Sequence, residues 1–173
     1  MENFSNLIIT PDNIPDINKD SFNLLDKKYK TILYIRFVFV LLLVIAGAVL
    51  FFILTEEDLP ILIVGSVFSV VALLLIYSAL IIYFGFPKKG YLIRENDISF
   101  QRGLIFFTST SVPFNRIQHV EVSQGILAKI FKLSSLKIYT AGGSASDLSI
   151  PGLPKETAGK LKDFLSEKIS RHE

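Results

Sequence analysis

Between Ile32 and Leu54 the chain holds a single charged residue, Arg36, and between Ile61 and Phe84 it holds none. As a helix the first run extends roughly 35 Å, enough to cross the hydrocarbon core of a bilayer, and the second is of similar length. A buried helical pair in a water-soluble protein would show a polar stripe at helical spacing, and neither run has one. The pattern therefore predicts two transmembrane helices, residues 32–54 and 61–86. Pro60 stands ahead of the second and Pro87 closes it. Residues 55–60 allow only a tight turn, which makes the pair an antiparallel hairpin. Ala46, Gly47 and Ala48 in the first helix and Gly65, Ser66 and Ser69 in the second predict close backbone approach between them.

After Lys89 the pattern changes to short runs rich in isoleucine, phenylalanine, tyrosine and valine, alternating with period two. Strands are predicted near Gly90 to Arg94, Ile98 to Arg102, Leu104 to Val112, Ile117 to Ser123, Leu136 to Thr140 and Leu148 to Ile150. Asn96 with Asp97 makes the first turn and Gly103 a second tight reversal. From Pro154 to His172 the chain reads as one amphipathic helix, with Ala158, Leu161, Phe164, Leu165 and Ile169 on one face. The expected fold is an α+β membrane protein. A two-helix transmembrane hairpin precedes a domain, residues 90–173, built as a small antiparallel β-barrel or sandwich capped by a C-terminal α-helix.

Charge orients this plan. Lys27, Lys28, Lys30 and Arg36 stand at the start of the first span and Lys88 and Lys89 after the second, while the connection carries Glu56, Glu57 and Asp58. By the positive-inside rule both termini face the cytoplasm. Arg36 lies one turn inside the apolar run, where its stem can carry the guanidinium back to the headgroups. Residues 1–31 are polar, with Pro11 and Pro15, and lack the basic-then-apolar start of a secretory signal, so the first span reads as a retained anchor.

Composition narrows the chemistry. The 173 residues are 50% hydrophobic with a formal net charge of +2, which gives no global basic surface for nucleic acid. The absence of cysteine removes thiolate metal sites and a cysteine nucleophile. No aspartate, glutamate, histidine or lysine lies in either span, so neither offers a proton relay or an ion path. Ser144, Ser146, Asp147 and Ser149 form no hydrolase signature. The run from Gly142 to Ser146 lacks the ending of a phosphate-binding loop and reads as a hairpin loop. His119 has no second ligand nearby and reads as an exposed or interfacial strand residue. No enzyme, cofactor or metal site is expected.

The run Val112, Pro113, Phe114, Asn115, Arg116, Ile117, Gln118, His119, Val120, followed by Gln124, Gly125 and later Thr140, Ala141, Gly142, Gly143, resembles the YdbS-like bacterial PH family. The resemblance extends from Ile32 to about Leu165. It implies a pleckstrin-homology-like domain behind two helices in the bacterial cytoplasmic membrane. One departure is Lys132, between Phe131 and Leu133, where the family commonly has the glycine of a left-handed turn.

The resemblance further implies a neighbouring larger multi-PH membrane protein and, for some members, protection against membrane-active bacteriocins. Two functional expectations follow. In one, the chain is a scaffold that binds copies of itself, as a homo-oligomer, or a larger PH-domain membrane protein. In the other, it is a lipid-sensing or envelope-defence module that engages anionic lipid headgroups. The candidate interaction or lipid surface comprises Lys27, Lys28, Lys30, Arg36, Lys88, Lys89, Arg94, Arg116 and Gln118. Arg116 and Gln118 stand where a fork can meet an anion or a turn carbonyl. The acidic turn Glu95, Asn96, Asp97 argues against a phosphoinositide pocket.

Overall fold

The computed structural model describes residues 22–54, 61–141 and 147–170. Two long apolar helices dominate it, α1 (Lys27–Leu54) and α2 (Ile61–Gly85). Their leucine, isoleucine, valine and phenylalanine side chains lie largely exposed along both lengths, a surface that suits lipid rather than water. The chain is a membrane protein with two spans. The connection between them lies outside the described residues.

Helix α1 begins at Lys27, ahead of the apolar run at Ile32, because Asp26 caps it. The Lys28 N–H donates to Asp26 Oδ1 at 2.8 Å, and the Tyr29 N–H donates to the Asp26 carbonyl at 2.9 Å. Inside α2 the hydroxyls of Ser69 and Ser78 donate to the carbonyls of Gly65 and Leu74, so neither is left bare in hydrocarbon.

The expected close approach through small residues is not found at the glycines. A Cβ added at Gly47 or Gly65 would meet nothing within 4 Å. Instead a cleft lined by Ile45, Ala48, Val49, Ile53 and Phe68 lies along the pair. The helices are joined at the domain end, where Lys30 Nζ on α1 lies 4.5 Å from the Tyr83 ring centroid on α2.

The domain folds from two antiparallel sheets. The first is ordered β1 (Asn23–Leu24), β2 (Gly90–Ile93), β3 (Asp97–Arg102), β4 (Thr108–Pro113). The second is ordered β5 (Ile117–Ser123), β6 (Leu133–Thr140), β7 (Leu148–Pro154). A short helix α3 (Ile126–Ile130) joins β5 to β6, and α4 (Lys155–Ser170) closes the fold.

Period-two alternation turns Ile98, Phe100 and Val112 of the first sheet and Leu136, Ile138 and Ile150 of the second into one core. Helix α4 adds Ala158, Leu161 and Leu165 to it, and its Phe164 meets Phe114 edge-on at 5.9 Å. Each valine, leucine, isoleucine or phenylalanine side chain among them contributes about 1.5–3 kcal/mol on full burial. The sheets face each other as a sandwich and do not close into a barrel.

Several expectations are revised. The run from Leu104 to Phe107 is a loop, and β4 starts only at Thr108. Gly103 explains this: at φ +122° it turns the chain so sharply that an added Cβ would overlap the Phe106 carbonyl. Strand β6 begins at Leu133, β7 runs on to Pro154, and α3 and β1 enter a fold expected to lack them. Lys132 does adopt the left-handed turn, at φ +57°, held by its N–H to the Lys129 carbonyl at 3.2 Å and by the Lys155 N–H to its own carbonyl at 3.1 Å.

The hairpin and the domain meet at Gly152, whose φ of +68° and missing side chain admit the Tyr29 ring of α1. An added Cβ would lie 2.6 Å from Tyr29 Cβ, and the Asp26 N–H donates to the Gly152 carbonyl at 3.2 Å. Gly152→Ala should therefore lower stability by about 2 kcal/mol or more, read as a drop in Tm of the detergent-solubilised chain. Lys132→Gly should raise it by about 0.5–1 kcal/mol, since glycine enters the left-handed region without the Cβ penalty. An unchanged Tm for the first, or a lower one for the second, would contradict these assignments.

Candidate functional site

The first sheet has two ends, and they separate the basic residues. Helix α2 leaves through a 3-10 turn, Phe86–Lys88, closed by the Lys89 N–H donating to the Phe86 carbonyl at 3.1 Å, and passes directly into β2. Gly90 pairs with Gln101, and Arg102 with Thr108, so these positions share the hairpin end of the sheet. A Cβ on Gly85 would lie 3.6 Å from Leu104 Cβ, which seats the β3–β4 loop against the last turn of α2. The opposite end carries the β2–β3 turn and the 3-10 turn Phe114–Arg116, joined where the Phe114 N–H donates to the Asn96 carbonyl at 2.9 Å.

At the hairpin end stand Lys27 and Lys28, exposed in the first turn of α1, and Lys88, exposed in the exit turn of α2. Lys30 and Lys89 lie against aromatic rings, with Lys89 Nζ 6.0 Å from the Tyr29 centroid. Burial, and then the neighbouring Arg102, hold the Lys89 ammonium below the usual lysine range. Arg36 is exposed further along α1. Arg102 was not among the expected site residues; only the register of β3 against β2, with Gln101 opposite Gly90, places it beside Lys89.

Three expected residues are not brought there. Arg94 lies at the opposite end and pairs with Asp97 at 3.8 Å. Arg116 is exposed in the 3-10 turn, where its carbonyl accepts the Ala141 N–H at 3.4 Å. Gln118 is the extra residue of a β-bulge, between the pairs Ile117 with Thr140 and His119 with Tyr139.

A second polar cluster occupies the outer face of the second sheet. Alternation along β5 and β6 puts His119, Glu121, Lys137 and Tyr139 on the face away from the core. The His119 and Tyr139 rings stack at 4.2 Å, Tyr139 Oη donates to Glu121 Oε2 at 2.9 Å, and Lys137 Nζ donates to Glu121 Oε1 at 3.2 Å. The Tyr139 hydrogen bond foremost, then that from Lys137, holds the Glu121 carboxyl below the usual range, and the same bond pushes the Tyr139 phenol up. The arrangement is a stacked aromatic pair beside a carboxylate fixed by two hydrogen bonds. Among the described residues no group of three histidine, aspartate or glutamate side chains could hold a metal ion. The loop from Gly142 to Ser146 lies outside the described residues. Its flanks are held by Asp147, whose Oδ2 accepts the Thr140 N–H at 2.8 Å and the Thr140 hydroxyl at 2.6 Å, and these bonds lower the carboxyl pKa.

Among the described residues, Glu121 and Asp147 contribute to the acid response. Each has its pKa depressed by folding, so its contribution is complete above the ordinary values of 4.5 and 3.8 and is lost as pH falls through the folded values. Tm should hold steady above about pH 5 and decline below it. Carboxyl NMR titration should find Asp147 below 3.8 in the natural chain and closer to it in Thr140→Val; no difference between the two would show that the Thr140 hydroxyl bond does not form.

Comparison with known proteins agrees with this architecture. The family model described as "Bacterial PH domain" matches residues 33–169. The chain is 42% identical over 76 residues to "UPF0699 transmembrane protein YdbS" of Bacillus subtilis (strain 168), covering 44% of this chain and 46% of that protein. It is 29% identical over 79 residues to "UPF0699 transmembrane protein YdbT" of the same organism, covering 45% of this chain and 16% of that protein. The matches thus span less than half the length of either relative. No solved structure matches. With two membrane spans leading into a sandwich capped by a helix, and a family match over most of its length, the chain belongs to the bacterial PH domain family.

Proposed function

We propose that this protein is a non-catalytic membrane scaffold, in which the hairpin holds the PH-like domain at the inner face of the bacterial cytoplasmic membrane so that it binds protein. The lysines at the hairpin end support that orientation, with both termini cytoplasmic. The partner is a second copy of the chain or a larger PH-containing membrane protein.

The observation that carries this reading is the edge at β4. Because the sandwich does not close, β4 is the last strand of its sheet among the described residues. Proteins ordinarily blunt such an edge with lysine, proline or a bulge. Of the other edge strands, β1 has only two residues, β5 has a bulge at Gln118 and β7 carries Pro151, but β4 from Thr108 to Val112 reads Thr-Ser-Thr-Ser-Val, with no charge and no proline before Pro113. An extended segment of a partner can add to it, backbone to backbone.

The chain has no cysteine, so Ser109→Cys gives a single reporter on this edge. In native membranes it should crosslink to a partner, and native electrophoresis in mild detergent should show a species larger than the 19.4 kDa chain. Ser109→Lys should weaken that assembly about tenfold, equivalent to about 1.4 kcal/mol. A strict monomer with no copurifying membrane protein would refute the scaffold reading.

A further inference from the structure

Outside the two spans, the exposed large apolar side chains among the described residues are few, and their placement is uneven. Phe164 on α4 is one, and it packs partly against Phe114. The others are Leu24, Ile105, Phe106, Phe107, Ile126 and Ile130, and all six lie on segments that adjoin the ends of the hairpin. Leu24 pairs with Gly90 at the start of β2. Ile105, Phe106 and Phe107 form the β3–β4 loop, seated by Leu104 against Gly85 at the end of α2. Ile126 and Ile130 stand one turn apart on α3, which packs beside α1.

The β3–β4 loop is the most exposed of these segments. Ile105, Phe106 and Phe107 leave 59%, 86% and 68% of their surfaces uncovered. They contribute nothing to the core, yet the loop is tightly built, since Gly103 adopts a conformation closed to other residues and brings the Phe106 carbonyl back over itself. Lys88, Lys89 and Arg102 stand around its base. Aromatic and aliphatic tips with a basic rim are the composition that seats in the boundary between anionic headgroups and acyl chains. The bilayer is already there, because α2 enters it at the turn against which the loop rests.

We propose that Ile105, Phe106 and Phe107 insert into the interfacial layer of the bilayer that the hairpin spans, with Ile126 and Ile130 as a second point of contact beside α1. The domain then sits on the membrane at fixed tilt rather than hanging from a tether. This inference does not rest on partner binding at β4 and stands or falls separately from it.

The chain contains no tryptophan, so Phe106→Trp installs a sole tryptophan, excited to the red of tyrosine absorption, and keeps an aromatic ring at an exposed position. Glu95→Trp, in the turn at the opposite end of the first sheet, is the reference. The full chain is reconstituted into phosphatidylcholine and phosphatidylglycerol vesicles, with or without bromine on the acyl chains. Insertion is expected to shift the Phe106→Trp emission to the blue of the reference and to make brominated lipid quench it, while the reference stays unquenched. Emission matching the reference, without quenching, overturns the proposal. So does a blue shift without quenching, which would mean that protein covers the loop. As a second readout, a spin label on Phe107→Cys, the only cysteine, should collide more with oxygen than with a water-soluble nickel complex; the reverse order also overturns it.

Discussion

The placement of this domain depends on the seating of Tyr29 on Gly152. Residues at the start of α1 belong at once to a membrane helix and to the packing of a β-sandwich, and Gly152 makes room for that double membership. Around this contact the Asp26 cap starts the helix, the Asp26 N–H reaches the Gly152 carbonyl, and Ile32 is buried. On the other side α2 leaves through a single 3-10 turn, with Phe86 packed against the core. The domain is therefore gripped at both ends of the hairpin, and the tilt of the helices and the pose of the sandwich become one variable. A glycine is used here for absence of volume as much as for its backbone freedom, since any side chain would occupy the space of the tyrosine.

The hairpin was legible in the sequence because the energetics that create it are crude. A charge buried in hydrocarbon costs so much that its near absence over two long runs leaves few alternatives. Finer features were not legible to the same degree. Hydropathy marks where lipid begins, at Ile32, whereas Asp26 decides where the helix begins; the cap was readable in principle from an aspartate ahead of a helical run. Small residues in the spans show where close approach is permitted, and at Gly47 and Gly65 the permission goes unused within this chain. Helix α3, at five residues, is too short to declare a period.

The loop at Leu104 to Phe107 was the most misleading segment, since an apolar, aromatic run after a turn satisfies every local criterion for a strand. Its conformation is set by Gly103 and by contact with α2, neither of which alternation can reveal. The same limit governs the site. That lysines flank the spans is visible by inspection, but their division into a hairpin-end group with Arg102 and an opposite group with Arg94 and Arg116 is a matter of register. Only the antiparallel pairing of β3 with β2, which sets Gln101 opposite Gly90, brings Arg102 to the end where Lys89 stands.

The exit turn of α2 has a geometric consequence for anything that meets this domain. A long flexible linker would let the sandwich explore a hemisphere above the bilayer and dilute its contact surfaces over that volume. Phe86–Lys88 leaves no such slack. The β4 edge is carried at nearly constant height and heading, so for the proposed scaffold the search for a membrane-held partner reduces to two dimensions, in which a contact too weak to matter in solution can suffice.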